Sequence, residues 1–296
     1  MVTFTRNDQS RVFTRDVSGI ATLLACLKNQ STIVASQSSV SQIEARASPE
    51  QRLLCETSGT SGPPKTICRK PETWIRSFQV TQNQFQVSND DTYATFGSLG
   101  HSLCLYAILE GLWLGAGVCN LSNTGPRRQV SALADFGVTV IYATPTQLRV
   151  LLKGAKASQT TKFPKIRKVF CGGGKLTPEL RSSLVTYFPS ADVREFFGAS
   201  ETSFITISDE TTPEGSVGRP YPDVEIKIGQ KNTSGGQHSG EIWIKSPYLF
   251  DSYEDSKNTN TVWSNGYLSI GEMGYMNEDG YLFVLGRKDR MITVAD

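Results

Sequence analysis

The chain has 296 residues, 38% of them hydrophobic and 20% charged, the proportions of a globular protein with one large domain or two ordinary ones. A formal charge of +2, with no concentrated run of one sign, argues against a nucleic-acid partner or a membrane-surface role. No stretch carries the roughly 18 apolar residues that span a bilayer, and the N-terminal MVTFTRNDQSRVFTRD lacks the apolar core of a secretory leader. Six cysteines (Cys26, Cys55, Cys68, Cys104, Cys119 and Cys171) form no CxxC pair, and two histidines stand far apart. The expectation is therefore a soluble, cytoplasmic protein with reduced thiols and no structural zinc site.

Residues 17–28 show helical spacing of apolar positions, whereas 29–50, rich in Ser, Gln and Ala, read as a linker. Leu53, Leu54 and Cys55 feed straight into a glycine-containing loop. Helical patterns follow at 102–117, 145–155 and 177–188, the last with Thr177 as N-cap and Pro178 at the first helical position. Between them, 137–143, 166–174 and 192–202 read as strands, the latter two ending in small residues. Such alternation predicts a layered α/β domain with a largely parallel sheet. Beyond residue 213 the texture changes to short alternating strands between Gly, Asn, Asp and Ser turns, which predicts an antiparallel β subdomain, a distorted barrel.

The loop Glu56–Lys65, ETSGTSGPPK, fails the G-x-x-x-x-G-K-[ST] test of a Walker loop, yet its chemistry suits phosphate. The hydroxyls of Thr57, Ser58, Thr60 and Ser61 can donate to phosphoryl oxygens. Gly59 and Gly62 let the backbone turn its N–H groups toward an anion, and Lys65 supplies a point charge. A solvated Ser/Gly turn is the other reading of this stretch alone.

The stretch TSGTSGPPK resembles the signature loop of the adenylate-forming superfamily, which includes acyl- and aryl-CoA synthetases, peptide-synthetase adenylation domains and luciferases. Further stretches match in the family's order. FFGASE (196–201) is similar to its Tyr-Gly-x-Thr-Glu, CGGGKL (171–176) to its Gly-Gly-Ala-Pro-Leu turn with Lys175 for the proline, and GSVGRPYP (215–222) to the element that opens the β subdomain. SIGEMGYMNEDGYLFVLGRKDRMI (269–292) is similar to the end of the large domain.

The resemblance implies ATP and Mg2+ as cofactors, a small carboxylic acid as substrate, and CoA or a phosphopantetheine carrier protein as acceptor. It implies that Lys65, Ser200 and Glu201 serve the chemistry at the phosphates, with Glu201 holding magnesium. Thr57, Ser58, Gly59, Thr60, Ser61, Gly62 and Lys65 would seat the triphosphate. Phe197 would stack on adenine, with Gly172, Gly173, Gly174 and Gly198 around the adenosine, and Glu272 and Arg287 would hold the ribose. Glu195 falls near the adenine amino group, or is an exposed strand-end charge. His101 either reaches the acid pocket or is a packed structural residue. Tyr142 and Gly173 would line that pocket, with Phe96 and Phe204 adding an aromatic character.

Asp289 matches the family's hinge, beyond which a small domain carries a lysine that bridges ATP and acid. The chain ends seven residues later, and the expectation is that this domain has been removed. The expected organisation is a short lead-in and linker at 1–50, an α/β nucleotide- and acid-binding core at 51–212, a β subdomain at 213–286 and the hinge at 287–296. The function expected is ATP-dependent activation of a carboxylic acid, of the fatty or aromatic class. The alternatives are adenylation of an amino or aryl acid, or nucleotide binding without turnover.

Overall fold

A computed structural model describes residues 2–13, 18–37, 42–57, 65–229, 239–254 and 261–290. By its contacts the chain divides into two units, Met1–Arg194 with Phe250–Asp255 and Glu195–Leu249 with Ser256–Asp296.

The first unit opens with β1 (Arg11–Val12), α1 (Ser18–Asn29), β2 (Thr32–Ala35), β3 (Ile43–Arg46), β4 (Leu53–Glu56), β5 (Thr66–Arg69) and α2 (Pro71–Phe85). Strands and helices then alternate as β6 (Thr92–Thr95), α3 (Ser102–Leu114), β7 (Gly117–Asn120), α4 (Pro126–Asp135), β8 (Val140–Ala143), α5 (Pro145–Ala157), β9 (Lys168–Cys171) and α6 (Pro178–Tyr187). The main sheet is parallel in the order β1-β7-β6-β8-β9. Strands β6, β7 and β8 are buried at every position, which is why β8, VIYA, reads as a short apolar run rather than as an alternating pattern.

Each face of that sheet has its own core. On one, Ala94, Ile141 and Val169 pack with Leu148 and Leu151 of α5 and Leu180 and Leu184 of α6. On the other, Tyr142 stacks between Tyr93 and Phe170 at centroid distances of 6.1 and 4.7 Å, with Tyr106 of α3 tilted against it. Two helix starts are written in the sequence. Thr144 and Gln147 form a capping box at α5, and the Thr177 hydroxyl accepts the Leu180 N–H at α6. At the amino edge of the sheet, buried Asp91 accepts from Arg167 Nε and Thr139 Oγ1, each at 2.7 Å. That knot ties the starts of β6, β8 and β9 together, and the opposite, carboxyl edge carries the loops.

A second sheet joins β3, β2, β4 and β5. Its β2 pairs parallel with β4 and antiparallel with β3, and β4 pairs antiparallel with β5. This corrects the linker expected over residues 29–50, which holds β2 and β3. Ile33 and Ile43 are fully buried, but four-residue strands flanked by polar turns carry too few apolar positions to stand out. Residues before 50 likewise belong to the core, where Phe4 packs on Trp74 and Phe78.

β10 (Asp192–Ala199) begins in the first unit, where Asp192 pairs with Lys168 and Arg194, and continues into the second. There follow β11 (Ser203–Ile207), β12 (Arg219–Pro220), β13 (Glu225–Ile228) and β14 (Gly240–Lys245). β15 (Ser252–Tyr253) returns to the first unit and pairs antiparallel with β5. The second unit ends with β16 (Val262–Ser264), β17 (Tyr267–Ser269), β18 (Glu272–Met276) and β19 (Leu282–Arg287). Its strands run antiparallel as expected, in the order β16-β17-β14-β18-β19 with β13 beside β14. They do not close into the expected barrel among the described residues. β14 pairs with β13 over 242–245, and takes β17 at Ile244 and β18 at Gly240 and Glu241, so the sheet branches at β14.

Candidate functional site: a phosphate-loop base and a glycine-fixed turn

In the first unit, β4 and β5 converge on the loop. Their ladder ends at Glu56 opposite Thr66, and two more hydrogen bonds extend it. Thr57 N–H donates to the Lys65 carbonyl at 2.8 Å, and Lys65 N–H donates to Thr57 Oγ1 at 3.1 Å. The loop base is thus a closed hairpin end that brings Thr57 and Lys65 together. Ser58, Gly59, Thr60, Ser61 and Gly62 lie outside the described residues. The Lys65 ammonium stands 5.6 Å from the centroid of the Tyr253 ring. Tyr253, 188 positions downstream, gives no sequence signal of this contact.

His101 precedes α3 and forms an isolated parallel bridge with Glu56, so the sequence-predicted histidine does lie beside the loop base. Burial lowers its pKa from the ordinary value, and the charge of Glu56 acts against that shift. At the carboxyl edge of the main sheet, Gly172 follows β9 and donates to the Ala143 carbonyl at 3.2 Å. Gly173 has φ +74°, and a Cβ there would meet Thr144 Cγ2 at 3.4 Å. The left-handed backbone rather than lack of space therefore requires glycine. Gly173 and Gly174 are exposed at this edge.

Tyr142 corrects its expectation as a pocket residue. It is fully buried, and its hydroxyl donates to Glu110 Oε2 at 2.8 Å, so it belongs to packed interior. A strand buried on both faces gives no pattern from which to tell which residues face a pocket. Phe96 and Phe204 are also interior, 8% and 4% exposed. Phe204 stacks on Tyr221 at 4.7 Å.

In the second unit, β10 and β11 are joined by a tight turn. Glu195 is buried, 7% exposed, which removes the exposed strand-end reading. Its backbone exchanges two 2.7 Å hydrogen bonds with Ser208. Phe197 is half-buried opposite Thr206, and the register shifts between Phe197 and Gly198. A Cβ on Gly198 would lie 1.8 Å from the Ser203 carbonyl oxygen, so no other residue fits this bulge. The turn is closed by Ala199 N–H donating to Thr202 Oγ1 at 3.0 Å, and Thr202 is fully buried. Ser200 and Glu201 stand half-buried at its tip.

Elsewhere in that unit, Glu272 and Arg287 face one another across β18 and β19. Arg287 Nε donates to Glu272 Oε1 at 3.1 Å, so the structure brings these two predicted residues together. Asp289 is exposed in a 3-10 turn, Lys288–Arg290. Glu241, which no motif marks, accepts from Ser269 Oγ at 2.7 Å and from Lys288 Nζ at 3.0 Å. Burial pushes its pKa up, but those two donors outweigh burial and leave it lowered.

No cluster of three or more His, Cys, Asp or Glu that could hold a metal occurs among the described residues. Magnesium needs no such cluster, since it commonly takes one or two carboxylates and completes its shell with water and phosphate oxygens. No helix among the described residues is long and apolar enough to cross a membrane.

Comparison with known proteins places these features in context. The model of the AMP-binding enzyme family matches residues 8–254. The uncharacterized acyl–CoA ligase YhfT of Bacillus subtilis (strain 168) is 31% identical over 246 residues, covering 80% of this chain and 48% of the relative. The 4-coumarate–CoA ligase-like 4 of Oryza sativa subsp. japonica is 28% identical over 252 residues, covering 81% and 45%. Among solved structures, o-succinylbenzoate coenzyme A synthetase from Bacillus subtilis, in complex with ATP and magnesium ion, superposes with a TM-score of 0.70 at 27% identity, over 81% of this chain and 50% of that one. Its AMP complex gives 0.71 at 26% identity, over 85% and 52%. The chain spans about half the length of the curated relatives it matches.

Proposed function

The chain belongs to the AMP-binding enzyme family, and from that premise we propose that it serves the acid-activating chemistry of an AMP-forming acid–thiol ligase. A carboxylate oxygen of a small acid attacks the α-phosphorus of ATP, the bond from that phosphorus to the bridging oxygen breaks, and pyrophosphate leaves with the electron pair. The resulting acyl-adenylate then passes its acyl group to the thiol of CoA or of a phosphopantetheine carrier protein. The observation that carries the reading is the closed loop base, which holds Thr57 and Lys65 side by side at the two ends of a sequence rich in hydroxyl residues and glycine.

Such a reaction needs charge neutralisation at the phosphates more than a protein nucleophile. Lys65 and the loop hydroxyls of Thr57, Ser58, Thr60 and Ser61 bind and orient the triphosphate. Ser200 donates to the α-phosphate, and Glu201 holds the metal. Magnesium, when bound, supplies electrostatic stabilisation of the phosphate oxygens. In the second unit, Phe197 would pack on adenine with Glu195 near it, and Glu272 and Arg287 would hold the ribose; in the first, the Gly172–Gly174 turn is the nucleotide-side element. His101 and Gly173 border the acid, and Asp289 is the hinge.

Two features of the relatives support the reading: two are named as CoA ligases, and a similar solved structure is a complex with ATP and magnesium. The cytoplasm, where the free cysteines stay reduced, is the setting this reading requires. A nucleotide-binding protein without turnover is the second reading, favoured by the ion pair that already engages Glu272. Carboxylate-dependent ATP–pyrophosphate exchange, run against fatty, aromatic and amino acids, separates the two. Exchange with any acid establishes adenylation, and Mg-ATP binding with no exchange throughout favours the second reading.

A further inference from the structure

Glu56 is the residue immediately before the loop, and nothing in the adenylation reading gives its side chain a task. Its carboxylate nevertheless reaches away from β4 to the end of β2. Oε1 accepts from Ser36 Oγ at 2.7 Å, and Oε2 accepts from the backbone N–H of Gln37 at 2.8 Å. Its backbone also bridges to His101, at the start of α3.

The segment before His101 is pressed onto the same place. A Cβ on Gly100 would lie 2.8 Å from Gln37 N and Ser36 O, and Leu99 N–H donates to Gln42 Oε1 at 2.9 Å. Three chain segments therefore meet at one residue: the end of β2, the end of β4, and the lead into α3 from the carboxyl edge of the main sheet.

We propose that Glu56 is a positioning residue whose carboxylate latches the base of the phosphate loop to the chain just after β2, at the point where its backbone meets the His101 segment. The geometry gives the latch a direct route to the loop. Glu56 adjoins Thr57, whose hydroxyl accepts the Lys65 N–H, so displacing the end of β4 moves Thr57 and Lys65 together. A hydrogen bond to a charged group contributes more than one between neutral groups, and two of them on one carboxylate fix its direction as well as its place. Strand β4 is only four residues long, and Glu56 stands at its end, opposite Thr66, so the two carboxylate contacts add to a short ladder at the point where the loop begins.

This inference rests on the adenylation reading only for its catalytic consequence, and its test has one arm that does not. In Glu56→Ala, backbone amide exchange at Gln37, Thr57 and Lys65 is expected to accelerate at least about tenfold, with the amides of α5 and α6 unchanged. In pyrophosphate exchange, the KM for Mg-ATP is expected to rise about tenfold while the KM for the acid stays within about twofold. Ser36→Ala, which removes one of the two donors, is expected to move both readouts in the same direction by less, and keeps the test available if Glu56→Ala fails to fold. Parent-like exchange at Thr57 and Lys65 in both variants, or an equal rise in both KM values, overturns the latch. Absence of any nucleotide activity in the parent removes the adenylation reading, and the amide-exchange arm then decides the latch alone.

Discussion

At the loop base of the first unit, Thr57 and Lys65 are held by hydrogen bonds and by partners far along the chain, among them the Tyr253 ring under the Lys65 ammonium. At the β10–β11 turn of the second unit, Ser200 and Glu201 sit at the tip of a turn in which Gly198 is folded against the Ser203 carbonyl and the Thr202 hydroxyl accepts from Ala199 N–H. The first arrangement can give by small steps, since each contact can loosen independently. The second cannot, because a bulge with no room for a Cβ either forms or does not. The two regions should therefore respond differently to substitution.

The largest effect is expected at the turn. Gly198→Ala places a methyl group where backbone already stands and is expected to cost about 3 kcal/mol or more of stability, read as a drop in the urea midpoint. A midpoint equal to the parent's would show that the turn is adjustable after all.

The carboxylates of the two units sharpen the contrast. Glu110 is fully buried in α3, and burial pushes its pKa up from 4.5 to about 7, against the hydroxyls of Thr81, Tyr142, Tyr93 and Tyr106 that favour the charge. Its folded pKa is above its unfolded one, so the stabilisation is full below about pH 4.5 and is lost as pH rises toward about 7, a decline of about 3 kcal/mol. Glu110→Gln is expected to flatten that decline in unfolding measured across the window. Glu241 works in the opposite sense: its lowered pKa gives stability that is present above its unfolded value and is lost as pH falls. A parent profile that does not weaken between pH 4.5 and 7 would contradict the assignment to Glu110.

The smallest effect on stability is expected at Glu272 and Arg287. This pair is partly exposed, and Arg287→Ala should cost no more than about 1 kcal/mol. The same variant is expected to weaken Mg-ATP binding about tenfold if Arg287 serves the nucleotide. A loss confined to stability would return the pair to a purely structural role.

The parts of the fold legible in the sequence were those that carry their own local instructions. α5 and α6 announce themselves through Thr144 with Gln147 and Thr177 with Pro178, β8 through the run VIYA, and β9 through the apolar Val-Phe-Cys that follows Lys168. β2 and β3 were not legible, because their order comes from pairing with each other and with β4 rather than from pattern. α2 was equally hidden. Its polar surface dilutes the buried stripe of Trp74, Phe78 and Phe85. At the site, the glycines at 172–174 and 198 were legible through the family resemblance, and positive φ at Gly173 and close approach at Gly198 give two of them a physical reason. The Tyr253 ring and the carboxylate contacts of Glu56 were not, because they join residues 19 to 188 positions apart. Tyr142 was misplaced for a related reason, since a four-residue strand buried throughout does not reveal which side chain faces which way.

The central claim is that the loop base seats the triphosphate of Mg-ATP through Lys65. Calorimetric titration of the chain with Mg-ATP, alongside Lys65→Ala, tests it most directly. The account predicts saturable binding by the parent and a loss of at least about tenfold in affinity for the variant. Equal affinity in the two proteins, or no binding by the parent, would contradict it.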